Sequence, residues 1–295
     1  MNTVGQQLLN GLTLGSTYAL LALGIAMVFS ILHLANFAHG ELLTICGYVM
    51  LGLRYTGAPW IVWVIAGIAA SVVAALAMER LAFRPMRHAN PVAMMVASLG
   101  LSILISYAFE AFISPRARAI PQPGWMNTTL TVLGLQIRIQ YVLIIGVTAV
   151  ALLGTLLLLR RTVIGTAMRA AAEDFDAVRL MGIKANRVIA TAFALSGLLA
   201  GIAAVLIFAI RGSVSPHMGF ALVLNGFIAN VIGGLGNLWG AVLGGFIVGF
   251  LETAFRAFLP SSASGFTNGL LFLIVAIILV LRPDGLIAPK SAARV

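Results

Sequence analysis

Apolar residues run in long blocks along this chain, separated by short polar intervals. A bilayer-crossing helix needs about 20 mostly apolar residues. Blocks of that kind lie at roughly 8–31, 36–53, 60–83, 92–113, 141–160, 187–210, 219–236, 240–258 and 265–282. They predict an all-α, polytopic membrane protein with about eight to nine transmembrane helices. The second, seventh and eighth blocks carry polar or glycine-rich interruptions, so broken or re-entrant helices are expected there. No second domain is suggested, and residues 1–295 read as one transmembrane unit. Two glycine-rich stretches, 11–24 and 226–249, hint at an internal repeat of the kind transporters use.

The basic residues between the blocks orient them. Arg80, Arg84 and Arg87 form one group, and Arg160, Arg161, Arg169, Arg179, Lys184 and Arg187 a second. Arg282, Lys290 and Arg294 form the tail. The other loops hold Arg54, then Arg116, Arg118 and Arg138, then Arg211. Lys and Arg concentrate on the cytoplasmic side, so the first three groups and the C-terminus are expected in the cytoplasm. Nine crossings then leave the N-terminus outside. Residues 114–140 form the longest external loop, with Pro115, Pro121, Pro123 and Gly124 breaking any helix.

The internal interval 161–186 is patterned. Thr166 to Met181 holds no Pro or Gly and is rich in Ala, which predicts a helix. Met168, Ala171, Phe175 and Val178 give one apolar face, and Arg169, Glu173 and Asp176 an opposite charged face. Gly182 follows as a stop. Lipid-surface helices favour Lys and Arg. The acidic Glu173, Asp174 and Asp176 fit a protein partner better.

Asn36, His39 and Glu41 interrupt the second block. Ionisable groups at membrane depth are costly and mark functional sites by default. They either line the substrate route or form a polar knot satisfying loose backbone at a helix break. A His/Glu metal site needs more ligands than these. The Gly233–Gly245 stretch reads as close helix packing with Asn237 in the turn. No Gly-x4-Gly-Lys-Ser/Thr sequence occurs anywhere, so ATP-driven work would need a separate ATPase. Glu252 and Arg256, four apart with the acid first, read as a structural pair. Trp60, Trp63, Trp125 and Trp239 read as interface anchors. No nucleophile–base spacing suggests an enzyme.

Composition agrees and removes other classes. The chain is 61% hydrophobic and 9% charged, against about 25% charged in soluble proteins. Its net charge of +10 lies between apolar blocks, so it reports topology rather than nucleic-acid binding. The single cysteine, Cys46, excludes a disulfide within the chain and a cysteine metal cluster. No cleavable signal peptide is expected, because the first block lacks a basic leader and is too long.

Several motifs, in order, resemble the permease subunits of branched-chain amino-acid ABC importers. Asn10-Gly11-Leu12-Thr13-Leu14-Gly15-Ser16-Thr17-Tyr18-Ala19-Leu20 is similar to that family's first membrane helix, and Asn36-Phe37-Ala38-His39-Gly40-Glu41 to its most recognisable motif. Glu79-Arg80 with Arg84-Pro85 resembles its first cytoplasmic loop. Arg169-Ala170-Ala171-Ala172-Glu173-Asp174, followed by Leu180-Met181-Gly182-Ile183, resembles its coupling segment. Gly233-Gly234-Leu235-Gly236, with Gly240-Ala241 and Gly244-Gly245, resembles its late hairpin, and Arg282-Pro283-Asp284-Gly285-Leu286 its exit. Asn225 and Asn230 depart from the family pattern, where smaller or apolar residues are common. They bear on which substrate is carried.

The resemblance implies an alternating-access pathway in a bacterial inner membrane. It implies a homologous second permease, two cytoplasmic ATPase subunits and a periplasmic binding protein. ATP and magnesium would sit on the ATPases, with no cofactor in this chain. Asn36, Phe37, His39, Glu41, Asn225 and Asn230 are the expected pathway residues, and Arg169, Glu173, Asp174 and Gly182 the expected ATPase coupling residues. Leucine, isoleucine and valine are the expected substrates, with urea, short amides or aromatic acids as alternatives. A secondary transporter or channel is the rival class; it would need membrane carboxylates, for which Glu41 and Glu110 are the candidates.

Overall fold

The computed structural model describes residues 3–87, 89–132, 135–260, 265–282 and 285–287. Lys290, Arg294, Pro283, Asp284 and the side chain of Asp176 lie outside the described residues. Among those described, each predicted apolar block is a helix: α1 (Thr3–Leu32), α2 (His39–Leu53), α3 (Trp60–Met78), α4 (Pro91–Phe112), α5 (Ile139–Arg161), α8 (Ala185–Arg211), α9 (Met218–Gly233), α10 (Leu238–Phe258) and α11 (Thr267–Leu281). Between α5 and α8 lie α6 (Val163–Glu173) and α7 (Phe175–Leu180). The protein is all-α. Six helices are long and apolar enough to cross a membrane: α1, α3, α4, α5, α8 and α10. The α2, α9 and α11 helices have 15, 16 and 15 residues. At 1.5 Å per residue they reach about 22–24 Å, short of a hydrocarbon core of about 30 Å.

The bundle has two distinct ends. At one, Thr129–Val132 pairs with Leu135–Arg138 as an antiparallel hairpin (β2–β3), and Arg118–Ala119 (β1) pairs with Ser213–Val214 (β4). The start of α1 is tied to this end, where Gln6 Nε2 donates to the Gln136 carbonyl at 3.2 Å. Arg54 donates to the Ala119 carbonyl there at 2.9 Å. At the other end sit α6, α7 and the α9–α10 turn. Arg160 stacks over Trp239, 5.8 Å from the ring centroid. Arg87 bonds Glu79 and Asn186, bringing the first Arg group beside the second. The segment after α11 joins them: Leu286 N donates to Ile232 O at 2.9 Å and Ile287 N to Gly233 O at 3.1 Å. The Arg groups therefore separate between the two ends as the sequence predicts.

Small residues set the central packing. The α1 and α10 helices run antiparallel in close contact. A Cβ on Gly249 would fall on the Gly15 backbone, and one on Gly245 on the backbone of Ala19. The two glycine-rich stretches of the sequence thus face each other across this contact. Glycine at such crossings lets backbones approach where no hydrophobic force drives helices together. Gly233 and Gly240 meet in the same way across the α9–α10 turn, where Asn237 Oδ1 accepts from Trp239 N at 3.0 Å and Gly240 N at 3.1 Å. The outer helices are inverted relative to soluble ones. The α4 helix buries Met94, Ser98, Ser102 and Ser106 and turns Val92, Val96, Ile103 and Leu104 outwards.

Three expectations need correction. The 36–53 block does not begin as helix: α1 ends at Leu32, His33 takes a positive φ of 51°, and α2 starts only at His39. Thr166–Met181 is not one helix. It starts earlier, at Val163, and breaks at Asp174. There φ −149° and ψ 101° are extended, and the carboxylate accepts from Ala177 N at 2.9 Å, making Asp174 the N-cap of α7. Glu110 is not deep in its span. It lies at the hairpin end of α4, part-exposed, and meets His217 at 2.9 Å.

Candidate functional site

The chain leaves α1 at one end and climbs back through 33–38 before α2 begins. It likewise leaves α8 at the hairpin end and descends through 212–217 before α9 begins. The first turns of α2 and α9 consequently meet inside the bundle. A Cβ on Gly40 would fall on the Gly219 carbonyl, and one on Gly219 would lie 2.5 Å from the Thr44 hydroxyl. The neighbouring part of α1 is its middle, between Tyr18 and Gly24: Asn225 on α9 reaches Tyr18, and the His39 ring lies 3.1 Å from where a Gly24 Cβ would be. A side chain at 24 would press on that ring.

Five of the six expected pathway residues divide between two networks, and Asn230 lies outside both. The first surrounds the α1–α2 break. Asn36 Oδ1 accepts from Ala38 N at 3.0 Å, and Phe37 N donates to Ser98 Oγ at 3.1 Å. Ser102 and Ser106 both donate to Glu41 Oε1, at 2.8 and 3.1 Å. One stripe of serines on α4, at a spacing of four, therefore holds the break and the carboxylate together. His39 Nδ1 lies 3.1 Å from Ser196 Oγ, and that hydroxyl gives its proton to the Gly24 carbonyl at 2.8 Å. A neutral His39 ring then donates from Nδ1 and leaves Nε2 a bare acceptor. Nε2 of His39, Oε2 of Glu41 and Oγ1 of Thr44 are buried without hydrogen-bond partners. Phe37 sits between Phe220 and Phe227 of α9, with ring centroids 6.5 and 6.1 Å away.

Asn225 belongs to the second network. Its amide donates to Tyr18 Oη at 3.0 Å, Tyr18 donates to Glu252 Oε2 at 2.6 Å, and Arg256 donates to Glu252 Oε1 at 2.6 Å. This chain ties α9 to α1 and α10, and makes the expected Glu252–Arg256 pair part of a larger cross-brace. Asn230, one α9 turn beyond Gly226, is fully buried with neither amide atom partnered. Tyr18 and the three serines are residues that sequence reasoning missed. The serine spacing at 98, 102 and 106 is visible in the chain; the role of Tyr18 depends on which helices meet.

The four expected coupling residues all lie at the α6 end. Arg169 and Glu173 are exposed on α6, Asp174 caps α7, and Gly182 follows α7 with φ 80° as expected of a stop. Leu180 and Met181 beside them are 90% and 80% exposed.

A family described as the branched-chain amino acid transport system permease component matches residues 7–281. The chain belongs to this permease family. The permease is 35% identical to BraD of Pseudomonas aeruginosa, a high-affinity branched-chain amino acid transport system permease protein, over 98% of this chain and 97% of that one. It is 33% identical to the protein of the same description, LivH, of Escherichia coli, over the same shares. It is 27% identical to a probable branched-chain amino acid transport permease, LivH, of Methanocaldococcus jannaschii, over 92% and 86%. The permease is therefore a membrane transport component and not itself a catalyst.

Proposed function

We propose that the permease is the membrane-spanning subunit of an ATP-driven importer that carries leucine, isoleucine and valine across a bacterial inner membrane. One observation carries this reading. Two half-length helices meet first turn to first turn inside the bundle, with unpartnered polar groups beside an aromatic clasp. Helix N-termini favour negative charge, and paired broken helices form binding sites in transporters. An amino-acid carboxylate suits those first turns, and Phe37, Phe220 and Phe227 suit an aliphatic side chain. In this arrangement Phe37 blocks the path. Parting α2 from α9 would release it and open the contact where the Thr44 hydroxyl lies buried against Gly219.

The rest of the assembly follows from the permease relatives and from the α6 end. We assign α6, α7, the α9–α10 turn and the C-terminus to the cytoplasm, on the rule for Lys and Arg. The acidic, Leu180- and Met181-flanked α6–α7 unit would dock on an ATPase carrying ATP and magnesium. A homologous permease would stand alongside, and a periplasmic binding protein would deliver substrate at the hairpin end. Residues 1–295 act as one transmembrane domain.

The test is uptake of labelled leucine into proteoliposomes holding the full complex, its binding protein and internal ATP. Isoleucine and valine should compete, and uptake should stop without ATP. Transport of urea or an aromatic acid with no competition by the three amino acids refutes the substrate. Uptake unaffected by ATP refutes the importer class.

A further inference from the structure

The hairpin end holds a polar cavity of about 280 Å³ lined by Gln122, Asn127, Arg138, Gln140, Arg211 and Gly212 among others. Three of its polar residues are placed by helix ends. Arg138 closes β3 and leads into α5, Gln140 stands in the first turn of α5, and Arg211 is the last residue of α8. Gly212 then turns the chain with φ 64°, and its carbonyl accepts from Ile120 N at 2.9 Å. Among the described residues, no carboxylate pairs with Arg138 or Arg211. Gln140 is 3% exposed, and its Oε1 has no hydrogen-bond partner.

This donor and acceptor set is selective. Two free guanidinium groups ask for a carboxylate or another oxyanion. A buried amide oxygen without a donor is costly to leave bare, and it asks for a cationic or neutral N–H. A simple anion satisfies the arginines and leaves Gln140 bare. A simple ammonium satisfies Gln140 and is repelled by the arginines. One molecule carrying both groups a bond or two apart satisfies all three. A second cavity of about 350 Å³ adjoins the first through the shared Ile210, and Leu14, Tyr141 and Ala257 line it together with polar Asn10, Thr253 and Arg256. It offers room for an alkyl chain.

We propose that this external cavity is a vestibule for the zwitterionic head of an α-amino acid, with Arg138 and Arg211 on the carboxylate and Gln140 on the ammonium. The inference rests on the amino-acid reading above and names a site ahead of the Phe37 clasp. Because the contacts are to groups every α-amino acid has, the vestibule selects the class, and the adjoining cavity adds a preference for side-chain bulk.

The experiment uses the full complex in proteoliposomes without ATP. The permease carries Asn127→Cys on the cavity wall in a Cys46→Ala background, and its modification by an impermeant maleimide is timed on this subunit. Millimolar L-leucine should slow modification at least threefold, and glycine should slow it less. Leucinamide, which lacks the carboxylate, and 4-methylpentanoate, which lacks the ammonium, should not slow it. Adding Arg138→Gln and Arg211→Gln should abolish protection and raise the KM for uptake about tenfold, with kcat retained. Equal protection by 4-methylpentanoate would show a plain anion site and overturn the proposal. So would protection by the binding protein alone, which would mark a protein-docking patch. Leucine uptake with no protection by any amino acid overturns the vestibule and leaves the substrate reading standing. Protection by glycine without leucine uptake supports the vestibule and removes the branched-chain assignment. If the arginine variants fail to assemble, the protection pattern with both arginines present still decides.

Discussion

The serine stripe of α4 makes a quantitative prediction about Glu41. Its Oε1 accepts from Ser102 at 2.8 Å and Ser106 at 3.1 Å, and the residue is fully buried. Hydrogen bonds between helices in membranes average about 0.6 kcal/mol and reach about 1.7 kcal/mol. A bond to a charged group is worth about 1.5–3 kcal/mol. Ser102→Ala should therefore cost about 1.5–3 kcal/mol if it strips a donor from a carboxylate, and about 0.6 kcal/mol if the bond is ordinary. Glu41→Gln separates the cases. The amide oxygen can still accept from both serines, but its NH2 replaces the unpartnered Oε2, and the charge is gone. In a double-mutant cycle the coupling between positions 41 and 102 should be about 1–2 kcal/mol. The assay is reversible unfolding of the purified permease from lipid–detergent micelles by a denaturing detergent, with leucine uptake measured in parallel. Glu41→Gln should lower uptake at least tenfold while the complex still assembles. A coupling energy within about 0.5 kcal/mol of zero refutes the claim that the serines hold a carboxylate. Normal uptake by the Gln variant removes Glu41 from the path.

Two further predictions concern the frame around that site. Glu252 is 2% exposed and Arg256 64%, so Glu252→Ala, which strands the buried Tyr18 hydroxyl, should cost about 1–3 kcal/mol. Arg256→Gln should cost under about 1 kcal/mol, and the reverse order in detergent unfolding would contradict the cross-brace. Gly249→Val should cost about 1–3 kcal/mol or abolish folding, because its Cβ falls on the Gly15 backbone. Gly146→Ala, with nothing within 4 Å of the new Cβ, should be neutral or stabilising in the same unfolding assay.

The helices were legible because lipid demands long apolar runs, and the two ends because Arg cannot sit between them cheaply. The break before His39 was legible as three polar residues in a row of apolar ones, but its extent was not. Leu34, Ala35 and Ala38 are apolar, so hydropathy alone carries the block straight through them. The division at Asp174 was hidden by alanine. Six residues from Ala167 to Ala172 include four alanines, whose high propensity points to continuation. A short acid can equally extend a charged face or cap a new helix, and Asp174 caps. Glu110 was misplaced in depth because its partner, His217, is 107 residues away. The serine stripe escaped notice because serine is tolerated anywhere in a membrane helix. Its spacing of four means something only once α4 is seen to face Glu41.

The two polar networks differ in one respect that bears on mechanism. In the Asn225–Tyr18–Glu252–Arg256 brace each group meets the next at 3.0 Å or less. Around the break, Glu41, His39 and Thr44 each keep one buried atom unpartnered, and Asn230, near the far end of α9, keeps two. A partly satisfied network in a low-dielectric interior is costly. A fully satisfied one resists change, since any displacement forfeits bonds. The α1–α10 core, locked by the brace and by glycine contacts too close to slide, is thus the part expected to stay rigid. The contact between the first turns of α2 and α9, where the buried Thr44 hydroxyl lacks a partner, is the part with something to gain from opening. A ligand shifts an equilibrium only through its differential affinity for the two states. Where α2 meets α9, the Thr44 hydroxyl beside Gly219 is the unpartnered group that a polar solute entering between these helices would reach.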